Sequence, residues 1–110
     1  MDTSMIRVLC VDDHPLMREG IVRILGLSND VTVVAEASDG AEAVDRFVVY
    51  RPDVTVMDLQ LPRMNGMQAV RTIPQVEPNA RVIVLTMYQG DEDIYQALQL
   101  GAVGYLLKDT

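Results

Sequence analysis

Three aspartates, a threonine and a lysine stand where short apolar runs end in this sequence. Asp12 and Asp13 follow Ile6 to Val11, Asp58 follows Val54 to Met57, Thr86 closes Arg81 to Thr86, and Lys108 follows Gly104 to Leu107. Carboxylates gathered in one place repel: two unit charges about 5 Å apart cost roughly 3 kcal/mol at an effective dielectric of about 20. A hard cation offsets that charge. Oxygen donors of this kind suit Mg2+, which keeps several waters and takes only one or two carboxylates. Lys108 can supply a second positive charge from the opposite side. A carboxylate between two cations can attack a phosphoryl group, and that transfer needs mainly alignment and charge neutralisation. Thr86 can hydrogen-bond a phosphoryl oxygen.

For these residues to meet, the apolar runs must be neighbouring strands. Ile6 to Val11, Val31 to Ala35, Val54 to Met57, Arg81 to Thr86 and Gly104 to Leu107 are short, bounded by turn residues, and read as buried strands. Between them lie helical segments. The first starts at Pro15, a favoured first position, carries Met17, Ile21, Ile24 and Leu25 at helical spacing, and ends by Ser28-Asn29-Asp30. The second has Asp39 as cap with Glu42 as capping-box partner, and closes at Arg51-Pro52. The third runs from Gly66 to about Ile73, stopped by Pro74 and Pro78, and the fourth from Asp91 to Leu100, with Gly101 just past its end.

This alternation predicts an α/β fold, a doubly wound parallel five-stranded sheet with right-handed crossovers. Neighbouring first and third strands favour the flavodoxin-like order 2-1-3-4-5, whose crevice opens at the carboxyl ends between those two strands. The first helix then lies on one face and the next three on the other. The usual fifth helix is missing from the chain as given, which predicts uncovered apolar surface and self-association as a homodimer or an element-exchanged dimer.

Composition narrows the function classes. A chain of 110 residues, 49% apolar, makes one domain with a core that needs no staples. The formal charge of −7, with no basic cluster, argues against direct nucleic-acid binding. No apolar run reaches the roughly 20 residues of a membrane span. Asp12 and Asp13 stand where a signal-peptide cleavage region would lie, and the lone Cys10 fits a reducing compartment, so a cytoplasmic location is expected.

The stretches VDDHPLMREG, MDLQLPRMNG, LTMY and GYLLKD together resemble the response-regulator receiver domains of two-component signalling, over nearly the whole chain. The wording is similar to the subfamily with a C-terminal LuxR-type helix-turn-helix. The resemblance implies that Asp58 accepts phosphate from a histidine on a sensor kinase. It implies Mg2+ held by Asp13, Asp58 and the backbone carbonyl of Gln60, with Asp12 acting largely through water. Thr86 and Tyr105 become the switch pair, and Lys108 the charge stabiliser. DNA control is implied only through a C-terminal domain absent from this chain. His14 is read as a loop residue beside the site rather than as a phosphate donor.

Two other classes share parts of this pattern. A dehalogenase-like phosphatase also uses a strand-end aspartate but wants a second acid two residues later, where this chain has Gln60. A flavodoxin-type cofactor binder shares the sheet order but needs a hydroxyl- and glycine-rich loop after the first strand, where this chain has Asp-Asp-His-Pro.

Overall fold

The computed structural model describes residues 5–58, 66–86, 98–99 and 102–107. Five strands, β1 (Ile6–Val11), β2 (Val31–Ala37), β3 (Val54–Asp58), β4 (Arg81–Thr86) and β5 (Gly104–Leu107), form one parallel sheet in the order β2-β1-β3-β4-β5. Among the described residues three helices have defined bounds: α1 (Pro15–Leu25), α2 (Gly40–Tyr50) and α3 (Gly66–Val76). The helix expected over Asp91 to Leu100 falls almost wholly outside the described residues. Among the described residues no helix is long and apolar enough to cross a membrane.

The alternating side chains of the strands divide the sheet into two faces. One face carries Leu9 and Val11 of β1, Met57 of β3, and Val82 and Val84 of β4. These pack with Ala43 and Phe47 of α2 and with Ala69, Val70 and Ile73 of α3. All ten are essentially inaccessible to solvent. On the other face Ile21, Ile24 and Leu25 of α1 surround an apolar hollow of about 200 Å³ with Val56 and Leu85. No residue of α1 is buried.

β2 carries one residue more than β1 needs. Val8 pairs with Val33, but Leu9 pairs with Ala35, so Val34 is skipped and the strand turns over. Ala35 and Ala37 then join the α2 side of the core. Glu36, opposite Cys10, falls on the α1 side.

Local chemistry explains most element ends and corrects three expectations. Asp39 caps α2, its Oδ1 accepting from the Glu42 N–H at 2.8 Å. The reciprocal bond is shifted by one residue: Glu42 Oε1 accepts from the N–H of Ser38 at 2.7 Å, not from that of Asp39. α2 closes on Arg51, whose left-handed backbone (φ 47, ψ 60) lets its N–H reach Phe47 O at 2.8 Å. β2 runs to Ala37, two residues past the expected Ala35. α3 continues through Pro74 to Val76. The proline sits in the last turn, where it removes one backbone bond, and the N–H of Glu77 still reaches Ile73 O at 2.9 Å. Burying Ala69, Val70 and Ile73 outweighs that single loss.

Candidate functional site

The site forms where β1 and β3 end side by side. Val11 pairs with Met57. The next residues, Asp12 and Asp58, therefore leave adjacent strands at the same level. Both are shut off from solvent, at 0% and 1% exposure. Asp13 and His14 lie on the turn into α1, their side chains 31% and 62% exposed. One ligand atom from each of Asp12, Asp13, His14 and Asp58 lies within 4.8 Å of all the others.

The turn is built by Asp12. Its Oδ1 accepts from the His14 N–H at 2.9 Å, folding the chain back toward the start of α1. Its own N–H donates to Ala37 O at 3.0 Å, tying the turn to the end of β2. His14 occupies the cap position of α1 without a side-chain capping bond. Its imidazole points instead at the acids, with Nδ1 3.2 Å from Asp12 Oδ1 and 3.1 Å from Asp13 Oδ1. Arg18, one turn into α1, donates from Nη1 to the Asp12 carbonyl at 2.6 Å and from Nε to Glu36 Oε1 at 3.0 Å.

Of the residues singled out in the sequence, the structure gathers Asp12, Asp13 and Asp58. Thr86 closes β4, and Tyr105 lies in β5; these two are placed by backbone alone. Asp58 pairs with Leu85, so Thr86 stands one step further along the neighbouring strand. Thr86 in turn pairs with Leu107, the residue before Lys108. Gln60 and Lys108 themselves lie outside the described residues. His14, expected only beside the site, lines it. Arg18 was not anticipated; its signal was a basic residue one turn after the helix start.

Crowded carboxylates of this kind need a cation, and three of the four donors offer hard oxygen, the chemistry Mg2+ takes. The described donors fit that ion.

Residues 8–110 match the family described as the response regulator receiver domain. The chain is 45% identical over 105 residues to the probable transcriptional regulatory protein NarL of Mycobacterium tuberculosis, covering 96% of this chain and 49% of that protein. It is 40% identical over 110 residues to the uncharacterized transcriptional regulatory protein YxjL of Bacillus subtilis, covering 100% of this chain and 50% of that protein. This chain thus spans about half the length of the curated relatives it matches. Among solved structures, the signal receiver domain of the putative response regulator NarL from Mycobacterium tuberculosis superposes with a TM-score of 0.93 at 44% identity, covering 97% of this chain and 86% of that one. With this sheet, this acid-lined edge and a match over almost its full length, the chain belongs to the response-regulator receiver domain family, among regulators of the NarL and LuxR type.

Proposed function

We propose that the chain is a phosphorylation-dependent signalling switch in which Asp58 accepts a phosphoryl group from a histidine of a sensor kinase. The observation that carries this reading is the meeting of Asp12, Asp13 and Asp58 within 4.8 Å at the end of β1 and β3, in a chain of this family. A carboxylate oxygen of Asp58 forms the new bond to phosphorus as the phosphorus–nitrogen bond to the kinase histidine breaks, the electron pair returning to the imidazole. Asp13, Asp58 and the Gln60 carbonyl would hold Mg2+, with Asp12 acting through water. Bound there, the ion would neutralise charge on the carboxylates and the phosphoryl oxygens. Lys108 supplies the second positive charge in this reading.

The output is a population shift. Thr86 moves to meet the phosphoryl oxygens and Tyr105 follows it, changing the surface around β4 and β5. The chain acts as a switch and not as a metabolic enzyme. The relatives named above are called transcriptional regulators. Control of DNA by this protein would run through an effector region distinct from this acidic segment, whose charge repels phosphate backbones.

The test is covalent labelling by acetyl phosphate with Mg2+, followed by intact mass. One phosphoryl group should be gained, and Asp58→Asn should abolish the gain. Labelling that persists in the variant, or steady turnover of a phosphate ester in place of a single labelling event, would overturn the reading.

A further inference from the structure

The imidazole of His14 is the one donor in the acidic cluster that the Mg2+ reading leaves without a task. Its position is specific. The ring could extend into solvent, being 62% exposed, yet Nδ1 faces inward and stands about equally far from a carboxylate oxygen of Asp12 and one of Asp13. A nitrogen between two carboxylates, with Asp58 completing a group within 4.8 Å, forms a mixed nitrogen and oxygen donor set.

Mg2+ gains little from such a nitrogen, because it prefers hard oxygen and keeps its waters. First-row transition cations gain much more, since imidazole suits Ni2+, Cu2+ and Zn2+, and affinity rises from Mn2+ through Ni2+ to Cu2+ before falling at Zn2+. We propose that His14 is a metal-specificity residue: through Nδ1 it gives the phosphoacceptor pocket a transition-cation binding mode that the carboxylates alone would not provide. In that mode the ring proton sits on Nε2, and the Nδ1 lone pair goes to the cation in place of the contact with Asp12 and Asp13. The inference rests on the pocket being a divalent-cation site, and it adds a ligand and a preference to that site. The consequence is competition: a transition cation held by His14 and the acids occupies the place Mg2+ would take.

The test is calorimetric titration of the tag-free chain with Mg2+ and, separately, with Ni2+, for the natural sequence and for His14→Ala and His14→Asn. Both variants should weaken Ni2+ at least tenfold and change Mg2+ less than twofold, with unchanged thermal unfolding of the cation-free chain. Pulsed electron paramagnetic resonance on the Cu2+-loaded chain should show imidazole nitrogen coupling that disappears in His14→Ala. Equal weakening of both cations would overturn the proposal, because His14 would then act only through the shape or charge of the turn. No weakening of Ni2+ would overturn it as well. Should Ni2+ bind through His14 while Mg2+ does not bind at all, the proposal stands and the Mg2+ reading of the pocket fails.

Discussion

The two faces of the sheet are built from equally apolar helices and come out differently. α2 and α3 place Phe47, Ala69, Val70 and Ile73 wholly out of solvent against β1, β3 and β4. α1 carries Leu16, Ile21, Ile24 and Leu25, yet buries none of them, and Leu16 and Ile24 remain 83% and 69% exposed. An amphipathic pattern selects the side of a helix that turns inward, but the depth of burial depends on how many elements close over it. Two adjacent helices seal one face. Among the described residues α1 stands alone on the other face, beside the hollow at Val56 and Leu85.

Truncating the sealed face gives the largest expected effect. Phe47→Ala should cost about 3–5 kcal/mol in urea denaturation, by lost transfer energy and the cavity left behind. The matched change on the open face, Ile24→Ala, should cost under about 0.5 kcal/mol, as exposed positions do. If the two costs are comparable, α1 is covered in solution and the contrast fails. Next in size is Asp39→Ala, which removes the cap of α2 and should cost about 1 kcal/mol. The loss should show as a lower urea midpoint with unchanged slope.

Thr55 sharpens the comparison with the opposite sign. It lies fully buried in β3 on the sealed face, and its Oγ1 has no hydrogen-bond partner among the described residues. Thr55→Val keeps the shape and removes the unsatisfied hydroxyl, so it should raise stability by about 1 kcal/mol in the same assay. A change as small as that of Ile24→Ala, within about 0.5 kcal/mol in the same assay, is expected for Leu27→Ser, since Leu27 is 84% exposed.

The same physical distinction separates what the sequence makes legible from what it hides. β1 and β4 begin and end where their apolar runs do, because a strand buried on both faces is marked by composition alone; β5 keeps its expected bounds as well. The parallel arrangement followed from the alternation of elements, and the adjacency of β1 to β3 from the acids that end both strands, which the sheet order bears out. Pro74 misled because a proline near the end of a helix costs one bond, while the buried side of α3 is worth several. Glu42 misled because the capping box is a spacing rule, and a flexible side chain can take the N–H of Ser38 as readily as that of Asp39. His14 and Arg18 were hidden for a different reason. Their roles depend on how Asp12 folds the turn, and three-dimensional bonds of that kind leave no periodic trace.

The skipped Val34 bears on how this chain can change in length. Val31, Thr32 and Val33 pair with Ile6, Arg7 and Val8, and Ala35, Glu36 and Ala37 pair with Leu9, Cys10 and Val11. Loss of Val34 would therefore leave all six partnerships standing and convert an irregular ladder into a regular one. Residue 33 is also valine, so loss of either codon of the pair gives the same chain. Along this edge of the sheet, a one-codon loss within the Val33-Val34 pair is therefore expected to keep the fold, because what it removes is the strand's spare residue.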